Sequence, residues 1–110
     1  MSQLDDGAMR LEEAIEAFLS QYKKTSRQTY ESVLKYLSTQ FFSENRKINT
    51  IEPVNMIQFM ASVDARPEIK SPASYNKYVS TVNIFFNWCV TMDLLVKNPA
   101  KMLKKRPERG

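Results

Sequence analysis

The sequence predicts an all-α fold, a compact bundle of four to five helices, and three observations carry that expectation. Apolar residues recur at steps of three and four through most of the chain, the spacing of one face of an α-helix. No segment reads as a credible strand. Pro53, Pro72 and Pro99 each stand where the first turn of a helix tolerates a residue without an N–H.

From Met9 to about Tyr22, Leu11, Ala14, Ile15, Phe18, Leu19 and Tyr22 mark one face, and Glu12, Glu13 and Glu16 favour the positive N-terminal end of the helix. Thr25 and Gln28 are spaced as a capping box for a second helix that runs to about Phe41. Its inward residues are Tyr30, Val33, Leu34, Leu37 and Phe41, with Arg27, Gln28, Glu31, Ser32 and Lys35 outward. A polar loop from Ser43 to Asn49 follows, and Pro53 opens a short third helix bearing Met56, Ile57, Phe59, Met60 and Val63. The stretch Asp64 to Ser71 breaks it.

Ser71 before Pro72 is an N-cap before a first turn, and the long fourth helix buries Tyr75, Tyr78, Val79, Val82, Phe85, Phe86 and Cys89. Its other face carries Asn76, Ser80, Asn83 and Asn87, with Lys77 beside them. Such an uncharged polar stripe is unusual on a merely solvated surface, which favours Glu and Lys. This helix ends near Met92 or Asp93, Leu94 and Leu95 fold back onto the core, and Asn98 caps a short basic fifth helix from Ala100 to Lys105.

With 110 residues, 43% of them hydrophobic, the chain encloses one modest core and reads as a single domain. The expected division is an N-terminal tail over residues 1–8, a helical domain over 9–103, and a basic linker over 104–110. Neither a membrane span nor a secretory leader is expected, which places the protein in the cytoplasm. Cys89 lies on the apolar face and reads as a small buried hydrophobe.

Catalytic chemistry is not expected. The absence of histidine removes Ser-His and Cys-His dyads and most zinc or iron sites, and the two glycines, Gly7 and Gly110, build no phosphate-cradling loop. The chain is expected not to be an enzyme by itself, and to need no cofactor or metal. Its net charge is +4, unevenly spread: acids dominate the first twenty residues, and Lys97, Lys101, Lys104, Lys105, Arg106 and Arg109 crowd the last fourteen. A basic end favours a polyanion, of which nucleic acid is the commonest; a solvated tail is the plainer alternative.

Order and spacing are more specific. Ser26, Tyr30 and Leu34 fall at steps of four; Ile51 and Pro53 precede Met56 and Phe59. Ser74-Tyr75-Asn76-Lys77 is followed by Phe85-Phe86-x-Trp88 and by Leu94-Leu95-x-x-Asn98-Pro99-Ala100. Taken together, Leu11 to Leu103 resembles the N-terminal core-binding domain of tyrosine recombinases, the phage integrase and Xer family. The resemblance implies one jaw of a clamp on double-stranded DNA. It also implies a C-terminal catalytic domain in the same full-length chain, other recombinase protomers on the DNA, and Lys104 to Pro107 as the interdomain linker.

By position it implies DNA contacts from Ser26 and Arg27 on the second helix and from Ser74, Asn76 and Lys77 on the fourth, where free N–H groups and cations suit phosphate. Asn76, Ser80 or Asn83 either touch base edges or hydrogen-bond neighbouring loops. Lys23, Lys24, Lys70, Lys101, Lys104 and Lys105 serve as phosphate clamps or plain solvated charge. Phe85, Phe86 and Trp88 belong to the core rather than to a base-stacking surface. The chain departs from the family pattern at several positions. Ser26 and Ser74 replace threonine, Tyr78 and Asn83 replace basic residues, Glu52 replaces threonine, and Asp93 takes the place of a turn glycine, so it must adopt a tight or left-handed turn. Two other functions remain open, a helical protein-interaction module whose Asn-rich face docks a partner helix, and a stand-alone DNA-binding regulator derived from an integrase.

Overall fold

A computed structural model describes residues 8–42 and 45–108, and they are all-helical, with no strand among them. The expected 1–8 tail, apart from Ala8, lies outside the described residues, as do Ser43, Glu44, Arg109 and Gly110. Four α-helices form a compact bundle: α1 (Leu11–Leu19), α2 (Lys24–Lys35), α3 (Pro53–Asp64) and α4 (Pro72–Thr91).

α1 is shorter than expected. The backbone N–H of Arg10 donates to the Glu13 carboxylate at 3.1 Å, which satisfies one of the orphan donors at a helix start. Leu11 N–H and Ile48 N–H bond the carbonyls of Arg46 and Met9, both at 2.8 Å, so the entry to α1 is pinned to the loop before α3. The expected Thr25 capping box does not form. Thr25 lies inside α2, whose N-cap is Lys23 with no side-chain cap, because the chain turns into the helix two residues earlier than the Thr-x-x-Gln spacing suggests.

Nor does α2 run regularly to Phe41. It widens into a π-helical stretch, Tyr36–Phe41, that tucks Leu37 and Phe42 into the core. A single 3₁₀ turn, Ile48–Thr50, precedes α3. The start of α3 follows expectation, with Pro53 in its first turn, and the Glu52 N–H donates to Asn55 Oδ1 at 2.7 Å.

α4 also begins as its sequence predicts, with Ser71 Oγ accepting from Ser74 N–H at 3.3 Å. It ends in a Schellman motif. Leu94 N–H reaches Cys89 O at 2.8 Å and Asp93 N–H reaches Val90 O at 3.0 Å, while Asp93 takes φ 62°, the left-handed conformation expected of it. The fifth helix does not form. Beyond Pro99 the chain makes two successive turns, Lys101 N–H to Asn98 O and Leu103 N–H to Ala100 O, and then continues without regular secondary structure through Glu108.

Phe18 sits at the centre of one aromatic cluster, its ring 5.1 Å from Tyr22, 5.7 Å from Tyr30, 5.4 Å from Phe85 and 5.5 Å from Trp88. A second cluster joins Tyr36, Phe59 and Tyr78, with Arg66 stacked 4.2 Å over Tyr36. Each fully buried large side chain in such a core contributes about 1.5–3 kcal/mol. The clusters also fix a direction. Tyr30 of α2 is level with Phe85 and Trp88, whereas Tyr36 just after α2 is level with Tyr78, so α2 and α4 run antiparallel.

Candidate nucleic-acid interface

The antiparallel pairing separates the two groups of residues expected to contact DNA. Lys23, Lys24 and Ser26 are exposed at the N-terminus of α2, at one end of the α2–α4 pair. The first turn of α2 has no side-chain cap, so its N–H groups remain open beside two lysines. At the opposite end, Lys70 and Lys77 are exposed around the N-terminus of α4, and Ser74 is half-buried, with its hydroxyl near Ser71 Oγ at 3.3 Å. Lys104 and Lys105 are exposed on the C-terminal segment. Ser80 is half-buried, one turn beyond Asn76.

Arg27 is less available than its outward position predicts. Its guanidinium is 3.2 Å from the Glu16 carboxylate of α1 and 3.8 Å from Glu31 on its own helix. An acidic helix lying alongside α2 captures it, which single-helix periodicity does not reveal.

Asn76 departs further from expectation. It is 4% exposed, and its amide pairs with one peptide unit of the C-terminal segment: Arg106 N–H donates to Oδ1 at 2.7 Å, and Nδ2 donates to Arg106 O at 2.8 Å. Nδ2 also reaches a Glu108 carboxylate oxygen at 3.1 Å. At the far end of the same stripe, Asn98 Nδ2 donates to Asn83 Oδ1 at 3.0 Å and to Asn87 Oδ1 at 2.9 Å, and Asn83 Nδ2 donates to Val79 O at 3.3 Å. Residues 98–108 therefore run back along α4. The polar stripe is uncharged because it binds the chain's own amides, which need a donor and an acceptor together rather than a formal charge.

Arg106, Asp64 and Tyr75, none of which the sequence placed in a site, complete this arrangement. The Arg106 guanidinium lies 2.8 Å from Asp64, the last residue of α3, and 3.7 Å above the Tyr75 ring. The hydrogen bond from Arg106 holds the Asp64 carboxyl below its usual range, and the same bond raises Arg106. The only sequence signal for this is Tyr-Asn at the start of a helix, which by itself has no single meaning.

Cys89 is buried as expected, and burial pushes its thiol up to about 12. Among the described residues no group of His, Cys, Asp or Glu could hold a metal ion, and no helix is long and apolar enough to cross a membrane. No family model matches the chain, and no curated protein or solved structure matches it.

Proposed function

We propose that this chain is a DNA-binding module of a site-specific tyrosine recombinase, resembling the core-binding domain of phage-type integrases and clamping duplex DNA at the recombination core site. One observation carries the reading. Lys23, Lys24, Lys70, Lys77, Lys97, Lys101, Lys104 and Lys105 are all exposed and, among the described residues, none of them has a carboxylate partner. Among the acids, Glu13, Glu16, Glu31, Asp64 and Glu68 sit in ion pairs with Arg10, Arg27, Lys35, Arg66 and Arg106, none of them with these lysines. The surface thus offers uncompensated cations, which a polyphosphate neutralises with release of its counterions.

Their placement supports a clamp rather than a single patch. α4 spans 20 residues, about 30 Å at 1.5 Å per residue, and lysines stand at both ends of the α2–α4 pair. A major groove about 12 Å wide is narrower than that span. The module itself performs no chemistry in this reading. A C-terminal catalytic domain of the same full-length chain and further protomers supply the rest of the clamp.

Titrating a labelled duplex at several salt concentrations tests the proposal. If about five phosphates are neutralised, log affinity falls against log salt with a slope near about −4 to −5. Lys23→Glu combined with Lys77→Glu then abolishes binding while the helical circular dichroism is retained. These two are better probes than Arg27, whose reversal sets a third carboxylate against Glu16 and Glu31. A flat salt response, or no binding, rejects the reading.

A helical protein-interaction module is the second reading. The Asn-rich face expected to receive a partner helix is taken by residues 98–108, but an apolar groove remains between Ile51, Pro53, Val90, Leu94 and Leu95, with Val96 at its edge 90% exposed. Under this reading the lysine reversals leave partner binding unchanged.

A further inference from the structure

The C-terminal segment crosses the start of α4 at Asn76, one of the residues expected to read DNA, and satisfies both halves of its side-chain amide. Asn76 offers a paired donor and acceptor, the pattern an Asn side chain presents to adenine in the major groove. In this structure the Arg106 peptide answers both at 2.7 and 2.8 Å. The Glu108 carboxylate approaches Nδ2 at 3.1 Å, bringing negative charge to the helix start where a phosphate would lie. Arg106, a residue suited to phosphate, is neutralised by Asp64 at 2.8 Å and rests on Tyr75 at 3.7 Å.

We propose that residues 104–108 form an autoinhibitory strap, latched through Arg106, that closes the reading edge of α4 and is displaced when duplex DNA binds. The inference rests on the DNA-binding reading above and adds its regulation. The contacts are of a kind that opens readily. The ion pair is solvent-exposed, the latch is held by one peptide unit and one guanidinium, and no apolar side chain of residues 104–108 is buried in the core. Opening the strap frees the Asn76 edge and returns one cation to the surface at the end where Lys70 and Lys77 already stand.

The test exploits a conflict of sign. Arg106→Ala removes a positive charge, so simple electrostatics makes duplex binding weaker. Release of the strap makes it tighter, and about a threefold or greater gain is expected in equilibrium titration of the full chain against a labelled duplex. Tyr75→Leu provides a charge-neutral second variant that removes the surface under the guanidinium and keeps an apolar side chain. It is expected to tighten binding in the same direction, and it carries the test should Arg106→Ala lose its helical signal.

In the unmodified chain, ¹⁵N spectra should show the Arg106 backbone amide and the Asn76 side-chain amide shifting together as duplex is added. Binding that is unchanged or weaker in both variants overturns the strap and leaves the DNA-binding reading standing. Absence of duplex binding in the unmodified chain and in both variants overturns both.

Discussion

Asn98 donates from Nδ2 to Asn83 Oδ1 at 3.0 Å, and this contact anchors the chain's return along α4. The same nitrogen serves Asn87 at 2.9 Å, while Asn98 Oδ1 accepts from Ala100 N–H at 2.7 Å, closing an Asx turn before Pro99 and Ala100 enter the core. One half-buried side chain therefore supports three contacts. Asn98→Ala is expected to cost about 2–3 kcal/mol, since two amide oxygens and one N–H lose their partner together. Asn98→Asp keeps the turn acceptor but sets a carboxylate against two oxygens, and should be at least as harmful. Urea unfolding measures both; a loss under about 0.5 kcal/mol for the alanine variant removes Asn98 as the anchor.

Asp93 at φ 62° carries a cost that glycine does not. It is the residue after the C-cap, where a Cβ crowds the following carbonyl by roughly 1 kcal/mol, somewhat less for Asp than for other residues. Asp93→Gly is expected to stabilise the protein by about 0.5 kcal/mol and raise Tm by roughly 2–4 °C. The Schellman bonds from Leu94 and Asp93 are kept. A lower Tm in a thermal melt would show that Asp93 makes a compensating interaction.

The starts of α3 and α4 and most core positions were legible in the sequence because they depend on local chemistry. Pro53, and Ser71 with Pro72, mark helix entries, and Phe18, Phe59, Phe85 and Phe86 each fall on the apolar face of their own helix and are buried. Thr25 has the spacing of a cap but lies one residue inside α2. The other misreadings arise where a distant segment decides. Residues 100–105 have helical character, yet Asn98 and Asn76 capture the chain at two points, and between them it makes two turns without continuing into a helix. Arg27 and Asn76 face outward on an isolated helix, but Glu16 of α1 pairs with the one and the C-terminal segment covers the other. Arg66, whose guanidinium donates to Tyr78 Oη at 2.7 Å and stacks on Tyr36, has no local signature at all.

Acid should release the strap's ionic anchor. Because Arg106 holds Asp64 below its ordinary value of 3.8, this carboxyl favours the folded arrangement above the unfolded pKa, and the preference fades as pH falls through the lower folded pKa. The anchor is thus intact at neutral pH and is lost progressively below about pH 4. A ¹³C carboxyl titration of Asp64 is expected to give a midpoint below 3.8 that returns to the ordinary range in Arg106→Ala. Equal midpoints in the two proteins would show that the ion pair does not persist in solution.

Cys89 should behave in the opposite sense at high pH. Its folded thiol, pushed up to about 12 by burial against the core face of α4, stays protonated where an unfolded cysteine, with a pKa of about 8.5, has become thiolate. The unfolded state therefore releases the proton first, and stability declines as pH rises above about 8.5, by as much as about 1.4 kcal/mol per pH unit from this group. Cys89→Ala removes that slope at the cost of a small cavity. A thiol reagent at pH 8 should label native protein at least about a hundredfold more slowly than unfolded protein, because reaction waits for an opening several kcal/mol uphill. Rapid labelling of the folded chain would mean that the Cys89 side of α4 opens far more easily than its packing against the core implies.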